Sequence, residues 1–258
     1  MDDSSIIIIG AGNLATSLGV ALKQAGNVPL AVWSRTVESA SLLGNRLGCF
    51  YSNDISQLPD AGIVIISVAD AALPEIAAEV AGRYPHSLVL HTAGSISMEM
   101  LQSVGCSRYG VFYPMQTFSK ARCVDFTTVS TFVEGCNSEV TELIRAIAAK
   151  IGSRCYDATS KQRRYLHLAA VFACNFSNAM YAMSAQILQK EGLPFEAMLP
   201  LIEETANKVH HLAPNEAQTG PAARGDKSVM DAHLAMLDGD LKSMYKYVSE
   251  YIINNKKK

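Results

Sequence analysis

The residues of this chain best suited to chemistry stand in three places. The first is Gly10-Ala11-Gly12-Asn13-Leu14-Ala15, which follows the β-branched run Ile6-Ile7-Ile8-Ile9 directly and opens a helical pattern at Leu14, Leu18, Ala21 and Leu22. Strand, tight turn and helix in that order make a phosphate cradle. Gly10 permits the turn, Gly12 leaves no Cβ between backbone and a pyrophosphate, and Ala15 lets the helix pack close to the strand. The free N–H groups of the helix start and the positive end of its dipole then face the anion. A tight turn without a ligand would use the same residues. The second place is Ser34-Arg35-Thr36, at the end of the next apolar stretch, where an acid would bond the ribose hydroxyls of NAD. An Arg between two hydroxyls suits a 2′-phosphate instead, which favours NADP over NAD; the other reading has Arg35 exposed and Thr36 capping a helix. The third is His167, whose imidazole can exchange a proton with an alcohol, ketone or imine near neutral pH, or else sits satisfied in a core or interface.

Further candidates lie at the ends of the predicted strands. Ser67-Val68-Ala69 closes the strand that begins at Ile63 and turns toward the cofactor cleft, with Asp70 expected as a helix N-cap. Thr92-Ala93-Gly94-Ser95 comes after Leu88–His91, and ligands of doubly wound sheets lie beyond such strand ends, so Thr92 and Ser95 are candidates for the substrate side. Ser95 could equally cap a helix. Gln116 and Thr117, a polar pair between apolar residues after the strand Tyr109–Tyr113, suggest a pocket wall. On the long C-terminal helix, Asn175 and Asn178 would orient a substrate or bond neighbouring helices, and residues 167, 171, 174 and 178 share a face at ideal spacing. Arg224, inside Thr219–Asp226, could hold a substrate carboxylate, even one in a second subunit, while Asp226 caps the next helix. No metal site is expected: His210-His211 and His233 make no ligand pattern.

These groups need elements to place them. The 258 residues are 49% hydrophobic and 18% charged, the profile of a globular protein with well-covered surfaces and room for two domains. Apolar runs alternate with helical patterns up to Arg154-Cys155-Tyr156, and everything after is helical. That predicts an α/β Rossmann-type doubly wound sheet over residues 1–157 and an all-helical domain over 158–258. The net charge of −2 offers nothing to nucleic acid or an anionic membrane. Asp2 and Asp3 stand where a signal peptide would be basic. The uncharged stretch Tyr165 to Gln189 is long enough for a bilayer, but His167, Asn175, Ser177 and Asn178 mark it as a helix buried in protein. Six scattered cysteines, none in a Cys-x-x-Cys pair, predict reduced, mostly buried thiols and a cytoplasmic location. Lys256–Lys258 is expected as a solvated tail.

Together these segments resemble the 6-phosphogluconate dehydrogenase-like NAD(P) proteins. The Gly10–Ala15 turn followed by Ser34-Arg35-Thr36 is similar to that of pyrroline-5-carboxylate reductases. Ile66–Asp70, His91–Ser95, Tyr113–Phe118, His167–Asn175 and Thr219–Asp226 resemble more narrowly the family that joins a Rossmann-like domain to DUF2520, and they occur in family order. The resemblance implies an NADP-type cofactor and a homodimer formed through the C-terminal helices. It implies no substrate. Hydroxyacid dehydrogenases of this fold carry Lys and Asn one turn apart on the first long C-terminal helix; here Val171 precedes Asn175, with His167 one turn earlier. Tyr113 stands where prephenate dehydrogenases have His.

Two functions remain open. One is an NADP-dependent oxidoreductase acting on a small carbonyl, imine or hydroxy acid, with His167, Asn175 and Ser95 as the catalytic candidates. The other is an inactive NADP-binding sensor, which the absent Lys would suit.

Overall fold

The computed structural model describes residues 4–255; the Asp2-Asp3 pair and the Lys256–Lys258 run lie outside the described residues. Eight strands form one sheet in the order β3-β2-β1-β4-β5-β6-β7-β8. They are β1 (Ile6–Ile9), β2 (Ala31–Trp33), β3 (Phe50–Ser52), β4 (Ile63–Ile66), β5 (Leu88–His91), β6 (Arg108–Met115), β7 (Ser130–Gly135) and β8 (Arg154–Asp157). Neighbours run parallel from β3 through β6, β7 is antiparallel to β6, and β8 is again parallel to β7. The chain steps outward from β1 to β3 and returns to β4 on the other side of β1. The crevice beyond the carboxyl ends of β1 and β4 is thus the switch point where such sheets bind ligands.

The unbroken Ile6–Ile9 run is explained by two cores. Ile6 and Ile8 join Leu18 and Leu22 of α1 (Asn13–Gln24), Leu47 of α2 (Val37–Leu47) and Ile144 of α5 (Ser138–Lys150). Ile7 and Ile9 point the other way, to Leu73 and Val80 of α3 (Leu73–Arg83) and Leu101 of α4 (Glu99–Ser103). A parallel strand covered on both faces is apolar at every position, and each such Ile contributes about 1.5–3 kcal/mol.

The strand limits differ from expectation where proline or a partner intervenes. β2 starts only at Ala31, because Pro29 just before it has no N–H for a ladder. β6 runs on through Pro114 and Met115, which pair with Thr131 and Ser130 of β7. Asp70 is not a cap. It opens a 3₁₀ turn, Asp70–Ala72, whose N-cap position is Ala69, and its carboxylate accepts a hydrogen bond from Ser95 Oγ instead. The cysteines are all free, but only Cys106 is buried and Cys174 is exposed, so the expectation of mostly buried thiols does not hold.

The chain packs as two compact units, Met1–Asn175 and Phe176–Lys258. In the first, Thr159 caps α6 (Ser160–Ala170): its Oγ1 accepts from Gln162 N at 3.2 Å, and Gln162 Oε1 accepts from Thr159 N at 2.9 Å. A π-helical turn, Val171–Phe176, comes next, and its wider winding ends the shared face that 3.6-residue spacing predicts beyond Val171. The uncharged stretch is also less buried than expected. Tyr165 is 66% exposed, Leu168 53% and Phe172 62%, so much of this helical surface is open to solvent.

The second unit is helical: α7 (Ser177–Lys190), α8 (Leu199–Lys208), α9 (Pro214–Ala217), α10 (Pro221–Arg224), α11 (Lys227–Ala235) and α12 (Gly239–Asn255). Pro200 sits in the first turn of α8, where a missing N–H costs nothing. Asp226 Oδ1 accepts from Val229 N at 3.3 Å and caps α11. Among the described residues no helix is long and apolar enough to cross a membrane.

Candidate functional site

Beyond the carboxyl ends of the parallel strands lies a cavity of about 920 Å³ within the first unit. Its floor is the glycine turn. Gly10 has φ +128°, and a Cβ there would stand 2.1 Å from the Ser67 carbonyl oxygen, so only glycine lets β1 and β4 approach this closely. Gly12 is different: a Cβ on it would meet nothing within 4 Å, because it would point into open space. Gly12 is the N-cap of α1 and makes no side-chain cap bond, which leaves the first N–H groups of the helix for an anion.

One wall comes from the ends of β2 and β4 and from α3. Ser34, Arg35 and Thr36 line it, with Arg35 exposed to the cavity, and so do Ser67, Val68 and Ala69. Thr36 also caps α2, accepting from Ser39 N at 3.3 Å. Trp33, Glu75 and Glu79 line the same region, as does Lys120 from the segment after β6. The Asn13 side chain donates to the Phe118 carbonyl at 3.0 Å, which ties this segment to the glycine turn.

At the β5–β6 end the wall narrows onto Tyr113 and His167. Tyr113 Oη lies 3.2 Å from His167 Nδ1, with the rings edge-on at 6.3 Å. Gly94 lies against both: a Cβ on it would come within 2.8 Å of Tyr113 Cζ and 2.9 Å of His167 Nδ1. Tyr113 is buried while His167 keeps access to water. Burial pushes the Tyr113 phenol above its usual pKa, Asp70 and Cys174 push the same way, and the Arg163 charge opposes them. Thr92 is buried, with Oγ1 3.4 Å from the Ile66 carbonyl.

Below this end is a charged anchor. Arg163 is wholly buried on α6, one turn before His167. Its guanidinium donates to Glu134 Oε2 at 2.6 Å, the Ile96 carbonyl at 2.6 Å and the Ala93 carbonyl at 3.3 Å. Glu134 in turn accepts from Ser160 N at 2.8 Å and Ser160 Oγ at 2.6 Å. The cluster therefore locks the start of α6 and the turn around Gly94 to β7. His91, fully buried beside it, accepts from Ala93 N at 3.2 Å; burial first, then the Arg163 charge, push its pKa down to about 3.

Most of the expected site residues meet here. Gly10, Gly12, Asn13, Leu14, Thr92, Gln116 and His167 all line the cavity. Four residues of the first unit do not line it: Ala15, Thr117, Ser95 and Asn175. Ala15 is fully buried in packing, Thr117 points to solvent with its N–H bonded to Gln116 Oε1 at 2.8 Å, and Ser95 is held by Asp70. Asn175 is exposed in the π-helical turn. Asn178 and Arg224 belong to the second unit, where both are exposed, and Arg224 ends the α10 turn. Tyr113, Lys120 and Arg163 are the additions that sequence reasoning missed as site residues, while Asp70 lines the cavity, the place that its alternative reading as a cofactor contact requires. Glu134, the lone charged residue of β7 (Ser130–Gly135), was the one signal for the buried pair. Among the described residues no cluster of His, Cys, Asp and Glu could hold a metal.

Comparison with known proteins agrees with this architecture. A Rossmann-like domain matches residues 3–111 and DUF2520, a domain of unknown function, matches 129–252. A Bacteroides fragilis protein described as a putative NADP oxidoreductase is 45% identical over 98% of this chain and 100% of its own, with a TM-score of 0.93. The chain belongs to the Rossmann-like plus DUF2520 family. A reductive aminase from Aspergillus terreus, in complex with NADPH and ethyl-5-oxohexanoate, shares the fold at 15% identity and TM-score 0.73, covering 97% of this chain and 93% of that one. A pyrroline-5-carboxylate reductase from Coxiella burnetii does so at 16% and 0.63, covering 99% and 98%. No curated protein matches. In this Rossmann-like plus DUF2520 chain the cavity draws on both matched regions. The glycine turn and Gly94 lie in the first, His167 in the second, and Tyr113, Pro114, Gln116, Phe118 and Lys120 in the stretch between them.

Proposed function

We propose that this protein is an NADP-dependent oxidoreductase that moves hydride to or from a small carbonyl, imine or hydroxy-acid substrate. The observation that carries the reading is one cavity joining the glycine turn, Arg35 and His167. The residues fit a dinucleotide: the open space over Gly12 admits a pyrophosphate, and Arg35 is an exposed cation where a 2′-phosphate would lie. When bound, NADP(H) supplies or accepts the hydride. The chain does the rest. Ser67, Val68 and Ala69 border the dinucleotide, Thr92 and Gln116 border the substrate, and His167 exchanges the proton. Ser95 acts through Asp70, which it holds at the cavity wall.

Asn175, exposed in the π-helical turn, is assigned a catalytic part beside His167, and the exposed Asn178 and Arg224 are assigned to substrate binding, with Arg224 a ligand for a carboxylate. The exposed Tyr165, Leu168 and Phe172 support a homodimer through the C-terminal helices. The free cysteines suit a cytoplasmic setting. A sensor without turnover is the second reading, favoured by Val171 one turn before Asn175 in place of a Lys.

Thermal shift with NADPH, NADP and NAD tests the cofactor, and loss of dihydronicotinamide absorbance with 2-keto acids, keto esters and cyclic imines tests the reaction. Stabilisation by NADPH with turnover of any one compound is expected. Stabilisation by NADPH with no turnover across the panel would favour the sensor, and no stabilisation by any dinucleotide would overturn both readings.

A further inference from the structure

We infer that Tyr113 is a catalytic residue, the group that hands a proton to the substrate heteroatom, and that His167 restores that proton through the Tyr113 Oη to His167 Nδ1 contact. The inference rests on the oxidoreductase reading and adds a residue to it. Three observations place Tyr113 in front of His167. Its ring lines the cavity while its hydroxyl meets the imidazole at 3.2 Å. The missing side chain of Gly94 gives both rings their positions, since a Cβ there would collide with each. The arginine anchored on Glu134 one turn earlier on α6 fixes the helix that carries His167.

The groups facing the phenol are His167 and Arg163 from α6, Asp70 from the turn after β4, and Cys174 from the π-helical turn. Burial and the Asp70 carboxylate keep the phenol protonated and ready to donate. His167 is exposed, so its outer nitrogen meets water.

In the reducing direction, hydride supplied by a reduced nicotinamide dinucleotide adds to the carbon of a C=O or neutral C=N group. The π pair moves to the heteroatom, which takes the phenolic proton; the Oη–H bond breaks as the new O–H or N–H bond forms. His167 Nδ1–H then reprotonates Oη as Nε2 takes a proton from water, so the pair ends protonated as it began with its imidazole tautomer exchanged. Oxidation of an alcohol or amine runs the same steps backward. The substrate class is a small molecule whose polar double bond needs a proton on its heteroatom, which excludes an iminium that accepts hydride alone.

The test uses the full chain and Tyr113→Phe, which keeps the ring and removes only the hydroxyl. Without ligand, the nitrogen NMR signals of the His167 ring at one fixed pH should differ between the wild type and Tyr113→Phe, because the variant removes the hydroxyl that meets Nδ1. Unchanged His167 ring signals in a folded variant overturn the relay. With NADPH and a panel compound that is turned over, Tyr113→Phe should lose about 10²–10⁴ in kcat while its NADPH affinity is unchanged. Normal NADPH binding with full kcat overturns the assignment of Tyr113 alone. Failure of the wild-type protein to bind any dinucleotide overturns the underlying reading and this assignment with it.

Discussion

A methyl group on Gly10 would stand 2.1 Å from the Ser67 carbonyl oxygen, whereas one on Gly12 would touch no protein atom within 4 Å. The two glycines therefore differ: Gly10 is demanded by the fold, whereas the fold makes no demand at Gly12, which the proposed dinucleotide would need bare. Gly10→Ala, strained at φ +128° and colliding with backbone, should lose roughly 2–4 kcal/mol of stability. Gly12→Ala should unfold at the same urea concentration as the wild type but bind NADPH at least about tenfold more weakly. Equal destabilisation of both variants would contradict this division.

The buried ion pair predicts an asymmetric mutant cycle. Arg163→Met leaves the Glu134 carboxylate without its cation among buried groups, at a cost of about 3–5 kcal/mol in urea unfolding. Adding Glu134→Gln to Arg163→Met should restore part of that loss, since the stranded charge is then gone. A double variant less stable than the single one by the full cost of Glu134→Gln alone would show that the two side chains do not interact.

His91 gives a pH dependence whose sign is fixed. Its pKa is about 3 in the fold against 6.5 for a free imidazole, so between those values the unfolded chain binds a proton that the folded chain refuses. Stability from this group is therefore complete above about pH 6.5 and is lost as the pH falls toward 3, at up to about 1.4 kcal/mol per unit. Urea midpoints measured from pH 7 to 4 should fall more steeply for wild type than for His91→Gln. Parallel curves would refute the assignment.

Arg35 should discriminate between cofactors. Arg35→Ala removes a charged hydrogen-bond donor worth about 1.5–3 kcal/mol, so NADPH should bind about 10–100-fold more weakly while NADH affinity stays the same. Isothermal titration with both dinucleotides measures this directly. An equal loss for both would place Arg35 away from the 2′-phosphate.

How far the sequence reveals each residue's role depends on the range over which that residue acts. The glycine turn was legible because its demands on residue type are local, and the interior strands because burial on both faces leaves an unbroken apolar run, as in Ile6–Ile9. Arg163 was not. In Lys161-Gln162-Arg163-Arg164 it looks like one more solvated charge, and partners far back in the chain, Glu134 and the Ile96 and Ala93 carbonyls, 29, 67 and 70 residues earlier, make it a core residue. Tyr113 was legible as a strand end and not as a partner of His167, 54 residues on. Asp70 failed as a cap because Ser95, 25 residues away, claims its carboxylate.

The placing of the two arginines also decides how the protein meets salt. Arg35 is exposed, so the hold on a 2′-phosphate proposed for it should weaken as ionic strength rises and the screening length shrinks to about 3 Å at 1 M. Arg163 is shut away from counterions, held by Glu134 inside the first unit. In concentrated salt the grip on the dinucleotide fades while the pocket beneath Tyr113 and His167 keeps its shape, so a brine-washed protein should be empty and still folded.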